Sequence, residues 1–401
     1  MTRLDERLIS RAVGGLKTGR LTIHWPDGRV ERVAGPAPGP AAEMVVRDPT
    51  VARRTALAGA TGFAEGYMDG SWDTPDLVTL LDLFAENMLS SGMKGSPAAL
   101  ERLGHTMHLL RANTRRGSKR NIAYHYDLGN DFYRLWLDET LAYSCALFSC
   151  CELPAEATPG SADDALRQAQ VAKWDRLLDL LQPRLGDHLL EIGCGWGGFA
   201  IHAAETRGCR VTGITLSEEQ LRHAQEAVER AGLEDMVDIR LQDYRDVSGT
   251  FDHIASIEMF EAVGERYWPV FFASLRDRLR PGGSAALQVI TIADDRFEHY
   301  RRSADFIQKY IFPGGMLPSP KVFAASAADA GLVTGEPAFF AADYARTLEC
   351  WLHRFDGARA EVQALGFDTR FIKMWRYYLA YCIAGFRHEM IDDMQVTLTR
   401  A

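Results

Sequence analysis

The stretch His188-Leu189-Leu190-Glu191-Ile192-Gly193-Cys194-Gly195-Trp196-Gly197-Gly198 leaves the chain few ways to fold. A short apolar run closes on an acid, glycines alternate, and Phe199-Ala200-Ile201-His202-Ala203-Ala204 opens a helix. That pattern is a strand, a tight turn and a helix. Glycine tolerates positive φ and lets backbone approach a ligand closely. The helix N-terminus that follows offers free N–H groups and a positive dipole end. A G-x-G-x-G turn alone serves many nucleotide sites; its position at the head of a βαβ series gives it weight.

The series runs on through the middle of the chain. Residues 211–215, Val237–Leu241, Phe251–Ile257 and 284–292 read as further strands. Glu218–Ala231 reads as a helix stopped by Gly232, and 271–279 as a helix stopped by Pro281-Gly282-Gly283. Strands and helices alternating at this spacing predict an α/β fold with a doubly wound parallel sheet. Ligands bind such sheets beyond the carboxyl ends of the strands. The Gly193 turn, Thr215, Asp243, Glu258 to Glu261 and Gln288 to Ile292 fall at or near that edge. The second strand ends in Thr215-Leu216-Ser217, without the acid that an NAD ribose requires. A nucleoside cofactor here therefore points to S-adenosylmethionine ahead of NAD.

With 401 residues the chain has room for one large domain and a smaller one. Residues 1–105 read as a small N-terminal unit. It has a hairpin at 21–30 around Pro26-Asp27-Gly28, a Pro/Gly-rich loop from Pro36 to Pro40, and an amphipathic helix over 76–88. Residues 106–120 read as a basic linker, in which Arg111, Arg115, Arg116, Lys119 and Arg120 occur without an acid. Such a run is either a solvated linker or a docking patch for anionic phosphates, where each basic residue contributes about 1 kcal/mol at a membrane surface. Residues 121–401 form the third unit, and its part from 293 on reads as helical and aromatic. Phe371, Trp375, Tyr378, Cys382 and Phe386 share one helix face, as core or as the wall of a long apolar pocket.

Bulk properties exclude several classes. A net charge of −9 argues against nucleic acid as a partner. No apolar run approaches the roughly 20 residues of a membrane span, and the first residues lack the apolar core of a secretion signal. The seven cysteines are scattered without a C-x-x-C pair, so neither a metal site nor a disulfide framework is expected, and a reducing cytoplasm fits.

Four segments, taken in order, are more specific: His125-Tyr126-Asp127-Leu128-Gly129-Asn130-Asp131-Phe132-Tyr133, Tyr143-Ser144-Cys145-Ala146, the turn from Glu191 to Gly197, and Lys309-Tyr310-Ile311-Phe312-Pro313-Gly314-Gly315-Met316-Leu317-Pro318. Together they resemble the cyclopropane fatty-acyl-phospholipid synthase family, including the mycolic acid cyclopropane synthases, over about residues 115 to 400. Gly66-Tyr67-Met68-Asp69-Gly70-Ser71-Trp72-Asp73 looks like the extra domain of the bacterial phospholipid enzymes. The resemblance implies a methyltransferase-like doubly wound sheet with a small N-terminal α+β domain and helical acyl-pocket insertions. It implies S-adenosylmethionine as cofactor, unsaturated phospholipid acyl chains as partners, peripheral attachment to the inner membrane face, and a homodimer. The chemistry implied is attack of an acyl π bond on the sulfonium methyl, a carbocation, then loss of a proton from the new methyl with ring closure.

By the same resemblance, Tyr143, Ser144, Glu191, Gly193, Gly195, Gly197, Thr215, Leu216, Gln220, Asp243 and Tyr244 would surround the cofactor. Thr215 and Ser217 serve equally as helix caps, and Tyr244 as an ordinary loop aromatic. Family members hold a bicarbonate ion as base. The matching positions are Cys145, Glu261, Gln288, Ile290 and Tyr344, with Cys145 and Ile290 contributing through backbone. Without the resemblance Glu261 reads as a helix-surface acid and Tyr344 as core. Cys382 matches a cysteine near the site in some members, or is simply a small buried hydrophobe.

Two positions depart from the family pattern. Gln288 stands where the family commonly has His, and Ala262 where several members have His. Glutamine hydrogen-bonds an oxyanion but carries no proton in the working pH range. Quenching of the cation by loss of a neighbouring chain hydrogen would then give a methyl- or methylene-branched chain in place of a cyclopropane. The alternatives are a methyltransferase acting on a soluble small molecule, and a lipid-binding protein without catalysis.

Overall fold

The computed structural model describes residues 2–91, 128–148, 161–303 and 305–400. The basic stretch 111–120 and the beginning of the first motif, His125 to Asp127, lie outside the described residues.

Near the N-terminus, β1 (Thr18–His24), β2 (Val30–Ala34), β3 (Ala37–Val46) and β4 (Trp72–Asp73) form one sheet in the order β2-β1-β3-β4. The β1–β2 hairpin turns where expected: the Trp25 N–H donates to the Arg29 carbonyl at 2.9 Å, and the Gly28 N–H to the Trp25 carbonyl at 3.0 Å. The stretch from Pro36 to Pro40 is not a loop. Its residues from Ala37 on open β3, which pairs in parallel with β1. Proline brings no N–H to a ladder, and these prolines sit beside the register shift between Thr18 and Arg20. Helix Leu77–Ser91 packs on β3.

The second sheet contains β5 (His188–Ile192), β6 (Arg210–Thr215), β7 (Val237–Leu241), β8 (Phe251–Ile257), β9 (Leu279–Ile292), β10 (Leu332–Thr334), β11 (Ala338–Phe339) and β12 (Ile391–Arg400). Its order is β10-β12-β9-β8-β5-β6-β7, with β11 also on β12. The segment β9-β8-β5-β6-β7 is parallel, as the alternation of strands and helices predicts. The chain winds outward from β5 to β7 and returns at β8 on the other side of β5. The strand order therefore reverses between β5 and β8, and a crevice opens at their carboxyl ends.

Two corrections follow on the other side. β9 begins at Leu279, and Pro281-Gly282-Gly283 is an irregularity within it, since the pairing jumps from Phe251↔Leu279 to His253↔Ser284. The C-terminal part is not helical throughout: β12 pairs antiparallel with β9 along its whole length, from Ile391↔Ile292 to Thr399↔Ser284. The helix expected over 271–279 is Trp268–Arg278.

The helices Ala341–Gly357 and Thr369–Arg387 pack on each other above the crevice. Their apolar faces and the N-terminal unit share one core cluster, running from Ile9 to Phe386. Polar ties cross the same boundary: Arg376 Nη1 donates to the Tyr67 hydroxyl at 2.8 Å, and the Tyr310 hydroxyl to Glu65 Oε1 at 2.6 Å. The 371–386 stripe is core at Trp375, Tyr378 and Phe386, all buried, and half-buried at Phe371 and Cys382. Among the described residues no helix is long and apolar enough to cross a membrane.

Candidate active site

The glycine turn after β5 is held by its neighbour strand: the N–H groups of Gly193 and Cys194 both donate to the Ile214 carbonyl, at 2.9 and 3.0 Å. Gly197 caps the helix Gly198–Arg207 with φ of 91°. A Cβ there would lie 3.0 Å from that of Ala224, so this glycine lets two helices approach. Gly193 and Gly195 instead line a cleft, together with Tyr143, Ser144, Glu191, Thr215, Leu216, Gln220, Tyr244 and Glu258. Gly197 and Asp243 are not among its lining residues.

Most of the residues expected around a cofactor are thus brought together. Thr215 lines the cleft and its hydroxyl donates to Gln220 Oε1 at 2.8 Å, whereas Ser217 is the N-cap, accepting from the Gln220 N–H at 3.3 Å. The Asp243 carboxylate is gripped by Arg245, through Nε at 2.8 Å and Nη2 at 2.5 Å, while its neighbours Gln242 and Tyr244 line the cleft. Tyr143 joins Tyr378 hydroxyl to hydroxyl at 2.8 Å, and its ring lies 5.3 Å from that of Trp136 and 5.4 Å from that of Trp351.

Glu191 is the test of fit for a cationic ligand. It is 2% exposed, and its Oε2 has no hydrogen-bond partner among the described residues. Burial pushes its carboxyl up to about 8. S-adenosylmethionine carries an ammonium group, a donor of the kind this oxygen lacks, and the residues present fit that cofactor.

The bicarbonate positions give a different result. The Cys145 N–H donates to Glu258 Oε1 at 2.7 Å, Gln288 Nε2 donates to the same oxygen at 2.9 Å, and the Tyr344 hydroxyl donates to Glu258 Oε2 at 2.5 Å. The Ile290 N–H donates to Glu261 Oε1. Four of the five groups expected to hold an anion are therefore engaged by carboxylates of the chain, and the fifth is one of those carboxylates. These residues do not fit a bicarbonate ion. Cys145 and Ile290 do act through backbone, but toward glutamates. The Cys145 thiol turns to the Ala146 carbonyl, and burial raises it.

Glu258 follows β8 with φ of 47°, a left-handed conformation that side chains other than glycine adopt rarely. Its own N–H donates to the Gln288 carbonyl at 2.9 Å. Burial raises its carboxyl, opposed by the bonds from Tyr344 and Cys145 and by the charge of Lys173. Glu261 is raised to about 8 by burial and by the nearby Glu258 charge, and its Oε2 lacks a partner among the described residues. Lys173 is 1% exposed, and its ammonium donates to Ser144 Oγ at 2.6 Å. Beneath Gln288, β12 supplies Gln395, whose Nε2 donates to Gln288 Oε1 at 2.9 Å, and the fully buried Asp393. Phe386 stacks on Tyr344 with centroids 4.3 Å apart. Among the described residues Cys382 makes no hydrogen bond to this cluster; it packs half-buried against the aromatic core.

Sequence reasoning missed Glu258 as a site residue, and with it Lys173, Asp393 and Gln395. Glu258 carried a usable signal, standing directly after β8 at the carboxyl edge. Lys173 lies within the helix Ser161–Leu181, and the last two belong to the strand read as helix.

A family model for mycolic acid cyclopropane synthetase matches residues 113–396. The chain is 41% identical to the tuberculostearic acid methyltransferase UfaA1 of Mycobacterium tuberculosis, covering 99% of this chain and 91% of that protein. It is 35% identical to the cyclopropane-fatty-acyl-phospholipid synthase of Escherichia coli K12, covering 92% and 90%. Among solved structures, the mycolic acid cyclopropane synthase CmaA1 complexed with SAH and CTAB superposes with a TM-score of 0.63 at 31% identity, covering 70% of this chain and 97% of that one. With a crevice at the β5/β8 reversal built for a cationic nucleoside and these similarities over most of its length, the chain belongs to the cyclopropane synthase family of S-adenosylmethionine-dependent methyltransferases.

Proposed function

We propose that this enzyme attaches a one-carbon unit to a carbon–carbon double bond in a fatty-acyl chain of a phospholipid, leaving a methyl- or methylene-branched chain that keeps one double bond. The observation that carries this reading is the polar floor of the cleft. Glutamine and alanine stand at 288 and 262, where the family resemblance implies imidazoles, no histidine lines the cleft among the described residues, and Glu258 does. The 41% identical relative, named a methyltransferase, supports the branched product.

Bound in the cleft, S-adenosylmethionine supplies an electrophilic methyl on a sulfonium. The chain's residues do the rest. The ring of Tyr143 lines the cleft, backed by the buried rings of Trp136 and Trp351, and an aromatic face there would stabilise a cation on the acyl chain in a desolvated setting. Packing of the helical layer keeps water from that cation. The reaction then ends by proton loss, so the product either keeps its unsaturation or closes a ring. Ring closure is the second reading, supported by the 35% identical cyclopropane synthase.

The protein would meet its substrate as a peripheral visitor to the membrane surface, with the basic 111–120 stretch as the contact read from sequence. The test is the acyl profile of a host that lacks its own synthase, read by NMR of extracted lipids. A new branched carbon with retained vinyl protons is expected. High-field ring protons with vinyl loss would replace it by cyclopropanation, and an unchanged profile from a folded, cofactor-binding protein would overturn the lipid reading.

A further inference from the structure

We propose that the side-chain carboxylate of Glu258 is the catalytic base, held by the donors that the family resemblance assigns to a bicarbonate ion, so that this enzyme works without bicarbonate. The proposal rests on the acyl-alkylation reading above and adds the group that ends the reaction.

The geometry argues it. A carboxylate and a bicarbonate share a planar O–C–O unit, and the same donors suit both. Here the Cys145 N–H and Gln288 Nε2 converge on Oε1, and the Tyr344 hydroxyl reaches Oε2. An ionised carboxylate has about four acceptor positions; three are used, which leaves one on Oε2 for a proton. Glu258 lines the same cleft as Gly193, Tyr143 and Thr215, which puts it beside the cofactor's space. Every group in direct contact donates, and Lys173 adds positive charge, so these neighbours favour the ionised carboxylate against the burial that raises it. The backbone at Glu258 is left-handed, and such strain collects at functional positions.

After carbon–carbon bond formation, the acyl cation loses a proton to Oε2 of Glu258. The C–H electron pair becomes the new π bond of a branched chain, or the ring bond of a cyclopropane. The carboxylate becomes a carboxylic acid and returns the proton to water between turnovers. Departure of the sulfide with its own electron pair has already balanced the transferred methyl.

The test compares wild type with Glu258→Gln and Glu258→Ala in buffers stripped of carbon dioxide and in buffers supplied with bicarbonate. Binding of S-adenosylhomocysteine (SAH) by each variant shows that it is folded. Wild-type turnover is expected to be indifferent to bicarbonate. Glu258→Gln is expected to lose about 10²- to 10⁴-fold in turnover, the usual worth of a general base, with SAH affinity within about threefold of wild type. Glu258→Ala opens the donor set, so ¹³C-bicarbonate NMR should show line broadening with this variant and none with wild type, and added bicarbonate should restore part of its turnover. Bicarbonate broadening or bicarbonate-dependent turnover with wild type would overturn the proposal, as would a Glu258→Gln variant near wild-type rate. If wild type alkylates no acyl chain at all, the functional reading falls by itself, and the ¹³C-bicarbonate comparison still decides which group holds the site.

Discussion

Gln395 fixes which way Gln288 faces: its Nε2 donates to Gln288 Oε1 at 2.9 Å, so the Gln288 amide turns its NH₂ to Glu258. Gln288 favours the ionised form of that carboxylate. In Gln288→Leu this donor is lost, and Glu258 rises further. Tyr344, Lys173, Glu261 and Asp393 remain around it. A hydrogen bond to a charged group contributes about 1.5 to 3 kcal/mol, so the acid limb of the turnover–pH profile should move about one to two units toward alkaline pH. An unmoved limb, with merely lower turnover throughout, would mean that Gln288 acts by packing alone.

Glu191 links cofactor binding to protons. Its carboxyl lies at about 8 in the free protein, so it is protonated near neutrality, whereas an incoming ammonium favours the charged form. SAH binding near pH 7 should release a proton, and affinity should rise with pH up to about 8. Calorimetry in buffers of different ionisation enthalpy reads that proton directly. Glu191→Gln should bind more weakly, release none, and lose the pH dependence.

The same shifts set the stability of the free protein. Glu191 and Glu261 ionise near 4.5 ordinarily and at about 8 here, so across that window the unfolded chain binds fewer protons than the native one. Their contribution is fully present below pH 4.5 and is lost as pH rises to about 8. Urea titrations at several pH values should show stability falling across this window in wild type, and falling less in Glu261→Gln.

Ser217 and Thr215 separate capping from binding. Ser217→Ala removes the acceptor for the Gln220 N–H and should cost about 1 kcal/mol of stability. SAH affinity should change little, because the Ser217 hydroxyl is not part of the cleft lining. Thr215→Val should show the larger effect on affinity, measured by titration calorimetry.

Trp375 tests the aromatic core. It is 1% exposed, with its ring 5.8 Å from that of Trp136 and 5.0 Å from that of Phe132. Trp375→Ala should destabilise by about 3 to 5 kcal/mol through lost burial and a residual cavity, readable in chemical denaturation. A loss under 1 kcal/mol would mean that the stripe is a pocket wall with space behind it.

The parallel half of the large sheet was legible because each element there carries local punctuation. Ser217 and Gly232 bracket one helix, and the alternation from β5 to β9 leaves a single sensible sheet. The cofactor side of the site follows from that sheet, since Gly193, Thr215 and Tyr244 all lie at strand ends. β12 was not legible. It is buried on both faces between β9 and β10, so it lacks the alternation of a half-exposed strand, and Asp392, Asp393 and Gln395 disguise it as surface. The floor of the site depends on that strand, and its polar residues are explained only by the three-dimensional pairing of Gln395 with Gln288. β3 was obscured differently: its prolines signal a loop locally, while pairing with β1 overrides them.

The most direct measurement supplies purified protein with S-adenosylmethionine labelled with ¹³C in the methyl group and vesicles of an unsaturated phospholipid, in buffer free of carbon dioxide, and follows the label by NMR. The label should enter the acyl chain as a methyl or methylene branch beside a retained double bond, without bicarbonate. Label appearing as a cyclopropane carbon only after bicarbonate is added, or remaining wholly in the cofactor, would contradict a branched-chain methyltransferase that carries its own base.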